Sequence, residues 1–367
     1  MRKDESSNQM KNDEKIPINK GNYSMDTVER ETRFHECLAE GWEDDYKKYR
    51  ANWINYPRNQ FISDYPLLVD LELASVCNLK CPMCYTTSSE FKTKVNTKLM
   101  DYELYTRLID EISGKVPAIR LSLRGEATLH KKFVDCISYA KKNNIKEVST
   151  LTHGAKLKGQ FLTDIIDAGI DWITVSIDGV DEVYENIRKP VKFSEIYQNI
   201  KNIHEIKRER NLNKPVIKVQ GIWPAIKENP SKYYEMFSPY VDLVAYNPLI
   251  DYLGKDSDIK YVDEFLCPQQ YQRLVIGADG LVMKCSNDEE NREVIGDVNK
   301  QSIHDIWHGK KMTDMREMQK RKLGFMESPV CRKCYLPRQT TDNEKVTVAG
   351  KEFVVLNYLN RIQKVGC

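Results

Sequence analysis

Three cysteines stand in the run Cys77-Asn78-Leu79-Lys80-Cys81-Pro82-Met83-Cys84, with the spacing C-x3-C-x2-C. Three thiolates can ligate three irons of a [4Fe–4S] cluster, whereas a closed cluster takes four, so one iron stays open to a further ligand. A structural zinc site needs four closed ligands, usually from paired C-x2-C knuckles. No fourth Cys or His lies close by in the sequence. A second set, Cys267, Cys285, Cys331 and Cys334, has the spacing C-x17-C-x45-C-x2-C. Four thiolates close either an iron–sulfur cluster or a zinc site, and the knuckle Cys331-Arg332-Lys333-Cys334 suits both; a zinc ribbon is the purely structural alternative.

The first loop resembles the signature of the radical SAM superfamily. The resemblance implies that the open iron binds S-adenosylmethionine (SAM) and that an electron delivered to the sulfonium releases a 5′-deoxyadenosyl radical. Cys77, Cys81 and Cys84 are then both metal ligands and catalytic residues. Further segments, each after a strand-like run, resemble the family's SAM-holding motifs. Leu123-Arg124-Gly125-Glu126-Ala127 is similar to the Gly-Gly-Glu-Pro motif, with Arg124 in place of the first Gly and Ala127 in place of Pro. It implies that the Glu126 carboxylate and the backbone carbonyls of the turn at Arg124 and Gly125 receive the amino group of SAM, since an ammonium needs acceptors. Leu151-Thr152-His153-Gly154 resembles a Thr-Asn-Gly turn, with His153 in the Asn place, which implies that His153 either contacts SAM or substrate or is a satisfied histidine of a tight turn. Val175-Ser176-Ile177-Asp178-Gly179 implies that Ser176 and Asp178 bind the ribose or carboxylate region. Arg188 falls where the family's arginine faces the active site and can pair with a carboxylate. Gln220 lies at the edge near the adenine, Met83 occupies the position beside it, and Trp223 either stacks on the base or belongs to the core.

The segment Gln272–Cys285, with Ile295-Gly296-Asp297 and Ile303–Trp307, resembles the SPASM/twitch extension of the same superfamily. Four cysteines rather than about seven imply the twitch form, with one auxiliary [4Fe–4S] cluster that handles electrons. Three function classes follow. The first is an oxidoreductase or epimerase acting on a small, carbohydrate-like substrate (a sugar, amino sugar or cyclitol), with flavodoxin or ferredoxin as electron donor. Dehydrogenation needs a base, for which Arg188 and Asp251 are the candidates; Tyr246, Asn247 and Asp251 are expected at the barrel mouth. Epimerisation needs a thiol outside both clusters, and Cys37, Cys136 and Cys367 are left over. The second class is a maturase modifying a ribosomally made peptide. The third is a non-catalytic iron–sulfur or zinc scaffold.

These residues require a frame. Strand-like runs at Leu67–Leu73, Ala118–Leu123, Glu147–Leu151, Trp172–Ile177, Val216–Ile222 and Val241–Tyr246 alternate with helical patterns such as Tyr102–Ile112, Lys132–Lys142, Gln160–Ala168 and Phe193–Arg210. Such alternation implies an α/β fold with a parallel sheet, whose chemistry lies beyond the strand C-termini. With the resemblance, the expected fold is a partial (β/α)6 TIM-like radical SAM barrel with a small C-terminal Fe–S domain and an N-terminal helical extension. The expected division is a disordered tail plus helical extension at 1–60, the barrel at 61–250, the auxiliary cluster domain at 251–340 and a C-terminal tail at 341–367. Within this, residues 1–25 read as disordered, 26–60 as a helical brace, and Ile303–Arg321 as one helix.

The 367 residues are 41% hydrophobic and 30% charged, with 56 basic and 54 acidic side chains and a formal charge of +2. No global field favours a nucleic acid or an anionic membrane. The polar N-terminus has no signal-peptide core and no run reaches membrane-spanning length. Cysteines grouped at metal-ligand spacing suggest a reducing, cytoplasmic compartment rather than disulfides.

Overall fold

The computed structural model describes residues 16–18, 23–248, 259–340 and 343–356. Six parallel strands form the barrel wall: β1 Leu68–Leu71, β2 Ala118–Arg120, β3 Glu147–Thr152, β4 Trp172–Ser176, β5 Val216–Ile222 and β6 Leu243–Asn247. The expected (β/α)6 wall is therefore present. It continues through β7 Arg273–Ile276, β8 Leu281–Met283 and β9 Val294–Asp297, giving one nine-stranded sheet in the order β6-β5-β4-β3-β2-β1-β7-β8-β9. β7 runs parallel to β1, so the C-terminal domain adds its strands to the barrel sheet.

Alternation along the strands separates two environments. Val69, Leu71, Ile119, Val148, Ile173, Val175, Ile217, Val219 and Val244 pack outward into the main hydrophobic core. The helices α4 Tyr102–Ile112, α5 Phe133–Lys142, α6 Gly159–Asp167 and α8 Phe193–Glu209 cover that face, after α3 Ser89–Lys94 and the short α7 Asp181–Ile187. In α4, Leu104, Tyr105, Leu108, Ile109 and Ile112 form the buried stripe. Its start is fixed by Asp101, whose Oδ1 accepts from the backbone N–H groups of Glu103 and Leu104 at 2.8 and 3.3 Å, a cap worth about 1 kcal/mol.

The inward face is built in rows. Registers align Asp70, Arg120, Ser149, Trp172 and Val216 in one row, Leu151, Thr174, Lys218 and Leu243 in the next, and Ser176, Gln220 and Ala245 above that. Helices α1 Val28–Ala39 and α2 Glu43–Asn59 close the bottom: Phe34, Leu38, Trp42, Tyr46 and Tyr49 cluster with Leu68, Ala118, Val216 and Leu243. The expected brace is thus a plug at the end opposite the cysteine loop. It is two helices because Gly41, at φ 84°, turns the chain between them.

Three further readings are corrected. Tyr23–Met25 are ordered, with Ser24 bridging Ala245 and Met25 buried, although their polar neighbours suggested disorder. The run after Ile303 splits into α12 Ile303–His308 and α13 Lys310–Lys320 at an extended Gly309. Part of the tail folds as the hairpin β10 Glu344–Val348 and β11 Lys351–Val355, and Val348, Phe353 and Val355 join the main core. Short helices α9 Trp223–Ile226, α10 Pro230–Phe237, α11 Gln269–Gln272 and α14 Pro329–Lys333 complete the fold. Among the described residues no helix is long and apolar enough to cross a membrane.

Candidate active site

The cysteine loop leaves the C-terminal end of β1 and is held by neighbouring strand ends. Cys84 N–H donates to Cys81 O at 3.0 Å, and Leu79 N–H approaches Cys77 Sγ at 3.4 Å. Cys81 is buried, Cys84 half-buried and Cys77 exposed. Burial pushes the Cys81 thiol up to about 11, opposed by the charge of Arg188, while Cys84 and Cys77 resist its ionisation further. The three thiols therefore share one small region. Met83 packs beside them with Leu79 and Ile187.

Gly125 is where the β2 loop crosses this loop. It has φ 51°, and a Cβ there would lie 2.4 Å from Ala74 O and 2.6 Å from Val76 O, so only glycine fits. Glu126 N–H then donates to Val76 O at 2.8 Å. The buried Glu126 carboxylate accepts from Thr128 Oγ1 and Thr152 Oγ1, both at 2.6 Å, from Thr128 N–H at 3.2 Å and from His153 N–H at 2.9 Å. His153 reaches the cysteine loop itself, with Nε2 2.8 Å from Asn78 Oδ1 and Nδ1 accepting from Ala155 N–H at 3.2 Å. That pattern puts the proton on Nε2. Burial lowers the His153 pKa, the Glu126 charge opposing, so the ring is neutral.

Asp178, past β4, accepts from Arg188 Nε at 2.8 Å and from Ile222 N–H at 3.0 Å, with Arg188 Nη2 at 2.6 Å. Burial alone would lower the Arg188 pKa, but Asp178 and Cys81 raise it. Arg188 is thus a fixed cation beside the cysteine loop and not the base offered as its alternative role. Ser176 and Gln220 are register partners on the inward face, both half-buried.

Other expected positions fall elsewhere. Arg124 is turned into a buried ion pair, its Nε and Nη2 each 2.6 Å from the Glu72 carboxylate, and its Nη1 donates to Glu289 O at 3.2 Å and Asn291 Oδ1 at 2.8 Å. It joins the barrel to the C-terminal domain rather than facing a cofactor. Trp223 and Tyr246 are buried, their rings 5.0 Å apart, and Phe353 lies 5.4 Å from Tyr246 on the outer face. Neither reaches the barrel mouth, because Tyr246 has the outward parity of β6; Asn247 has the inward one. Asp251 and Cys367 lie outside the described residues. Cys37 and Cys136 are buried in hydrophobic clusters.

The second cysteine set converges. Cys267, Cys285, Cys331 and Cys334 all line one small cavity with Phe265, Lys284 and Asn287. Burial raises the Cys285 thiol pKa well above its ordinary value, and the three other cysteines raise it next. Asn287 Nδ2 donates to Cys334 Sγ at 3.1 Å and Gln319 Nε2 to Cys331 Sγ at 3.5 Å. Four thiols around one cavity, with amide donors on two sulfurs, fit a cluster whose cysteines bind as thiolates.

Between the plug, the strands and the C-terminal domain lies a cavity of about 400 Å³. Arg120, Glu147, Ser149, Trp172, Thr174, Lys218 and Arg273 line it, and Asn287 links it to the second cysteine set. Arg273 Nε, Thr150 Oγ1 and Trp172 Nε1 have no hydrogen-bond partner among the described residues, and Arg120 Nε has only Asp70 Oδ1, at 2.9 Å. Burial lowers Lys218 to about 8 and raises Glu147 to about 7. Neither side chain has an ion pair or hydrogen bond among the described residues. Sequence reasoning missed this lining, although a lone charge within each strand-like run (Arg120, Glu147 and Lys218) was a visible signal.

Comparison with known proteins agrees with this geometry. The model for the radical SAM superfamily matches residues 71–223, and that for an iron–sulfur cluster-binding domain, SPASM, matches residues 267–335. The chain is 24% identical over 333 residues to the tungsten-containing aldehyde ferredoxin oxidoreductase cofactor-modifying protein of Pyrococcus furiosus, covering 76% of this chain and 89% of that one. BtrN, in complex with AdoMet and 2-DOIA, shares the fold with a TM-score of 0.52 at 21% identity, over 73% of this chain and 92% of that one. SuiB of Streptococcus suis, bound to S-adenosylmethionine, shares it with a TM-score of 0.53 at 11% identity, over 80% and 78% of the two chains.

Proposed function

This chain is a member of the radical SAM superfamily with a C-terminal SPASM iron–sulfur domain, and from that premise we propose that it removes a hydrogen atom from a small polar substrate held in the barrel interior and thereby dehydrogenates it. Cys77, Cys81 and Cys84 hold the SAM-binding cluster, and Cys267, Cys285, Cys331 and Cys334 the auxiliary one. With SAM bound, the first cluster would supply a 5′-deoxyadenosyl radical to take the hydrogen atom and the second would accept the electron left behind, while the hydroxyl proton passes to a base, for which Asp251 is the remaining candidate.

The protein's own contribution is positional. Glu126 and His153 hold the first loop against the ends of β2 and β3. Arg188, fixed by Asp178, sets a positive charge beside that loop, suited to the carboxylate of SAM. Ser176 and Gln220 offer polar groups to the ribose and adenine. The observation that carries the reading is the 400 Å³ cavity, lined by buried polar atoms that lack partners and touching Asn287, which bonds Cys334. Unpaired buried polar groups cost stability, and a polar ligand relieves that cost. Among the described residues the spare cysteines, Cys37 and Cys136, are committed to hydrophobic clusters, which favours dehydrogenation over epimerisation; Cys367 lies outside them. The size of the cavity, about 400 Å³, and the charged side chains in its wall favour a small molecule over a peptide chain.

Anaerobic, reduced holoenzyme with SAM and the low-mass fraction of host extract tests this. A metabolite that loses two hydrogens as 5′-deoxyadenosine accumulates is expected. A metabolite of unchanged composition that gains carbon-bound deuterium from D2O, or a modified peptide, contradicts it.

A further inference from the structure

The donors around the cavity outnumber the acceptors. Arg120 Nε lies 2.9 Å from Asp70 Oδ1 and Arg273 Nη1 lies 3.3 Å from Asp70 Oδ2, so one carboxylate serves two guanidinium groups. The Nε–H of Arg273 is left without a hydrogen bond among the described residues, as is the indole N–H of Trp172. Lys218 is 9% exposed, and its ammonium has no partner among the described residues. Arg50 lines the same space, and two carboxylates face it: Glu31, which is 3.1 Å from Lys351 and whose charge also acts on Lys218, and Glu147, which has no ion pair among the described residues. A buried cation without a counterion is costly, and an anion is the ligand that removes the cost.

Position adds a second constraint. Lys218 is two residues below Gln220 on β5, and its register partner Thr174 is two below Ser176 on β4. Two residues of strand span about 7 Å, roughly one sugar ring. A charge on Lys218 would therefore leave the far side of such a ring level with the residues expected to hold SAM.

We propose that the substrate is an anionic polyol or sugar, carrying a phosphate or carboxylate that Lys218, Arg120 and Arg273 bind in the barrel interior. This rests on the reading of the cavity as the substrate site. It narrows the class away from neutral sugars and amino sugars.

Two measurements on the cluster-loaded protein test it. Inorganic phosphate, compared with sodium chloride at equal ionic strength, should raise the Tm of the wild type by about 2 °C at saturating concentration. Lys218→Met and Arg120→Gln should abolish that increment, and Lys218→Arg should retain it. Iron and sulfide content and far-UV circular dichroism verify that the variants are folded. An equal increment in wild type and Lys218→Met overturns the anion site. Separately, low-mass host extract is passed over an anion exchanger, and each fraction is tested for stimulation of 5′-deoxyadenosine formation by the wild type. Stimulation by the retained fraction is expected, and its loss after phosphatase treatment assigns phosphate rather than carboxylate. Stimulation by the flow-through alone overturns the substrate class. Absence of SAM cleavage in every fraction defeats the functional reading instead, and the phosphate titration still decides the anion site.

Discussion

Glu147 is a carboxylate buried in the wall of the cavity. Burial raises its pKa to about 7 from an ordinary 4.5, with Asp171 adding to the rise and Arg50 opposing it. A carboxyl whose pKa is raised on folding binds its proton more tightly in the native state. Its favourable contribution is therefore full below about pH 4.5 and is lost as pH rises through about 7. A displacement of this size corresponds to about 3 kcal/mol. Glu147→Gln should remove the dependence: the urea midpoint of the wild type should fall relative to the variant between pH 5 and pH 8. Parallel midpoints at both pH values would show that Glu147 is paired or solvated. The grouping of the cysteines into two metal-ligand sets was legible from spacing, since metal chemistry fixes ligand type and number, while the choice of iron over zinc came from the family resemblance. The roles of Arg124 and Trp223 were not. A guanidinium that could face a ligand and one that neutralises Glu72 look the same in sequence, and the difference is made by Glu72, 52 residues away.

At the scale of elements, the site is a set of strand ends tied together. The β2 loop crosses the cysteine loop at Gly125, Glu126 ties β2 to β3, and His153 ties β3 to Asn78 within the cysteine loop. His153→Ala should remove the last tie. The expected results are a loss of about 1–2 kcal/mol in stability and a fall in iron bound at the first site, with the auxiliary cluster retained. Mössbauer spectroscopy with iron quantification reads the two clusters separately. Unchanged loading of both would make His153 a passive turn residue. The strands followed from β–α alternation because period and length are local properties, but their order did not: alternation alone also fits a doubly wound sheet, and the barrel was implied by the family resemblance. The breaks at Gly41 and Gly309 did not, since the apolar spacing continues across both glycines and only the packing of α1, α2, α12 and α13 shows where the chain turns. Likewise the β10–β11 hairpin is polar on one face, and its burial depends on Trp223 and Tyr246 far upstream.

The whole molecule is organised around the barrel interior. The N-terminal helices seal one end, the cysteine loop lies at the other, and the C-terminal domain extends the sheet through β7 while bringing Asn287 to the cavity. The Arg124–Glu72 pair, reaching on to Glu289 O and Asn291, locks that domain to the strand that carries the first cysteines. Asn287 brings the cavity beside the auxiliary centre, and Ser176 and Gln220 stand one strand step above Thr174 and Lys218, toward the end that carries the cysteine loop. The most direct test uses metabolites from host cells grown in D2O, transferred as a low-mass fraction to the reduced holoenzyme with unlabelled SAM in ordinary water. Mass spectrometry of the 5′-deoxyadenosine formed should show deuterium in the deoxyadenosyl methyl group, carried there from a substrate carbon. Unlabelled 5′-deoxyadenosine, formed at the same rate with and without the metabolite fraction, would contradict hydrogen abstraction from a small molecule in the barrel.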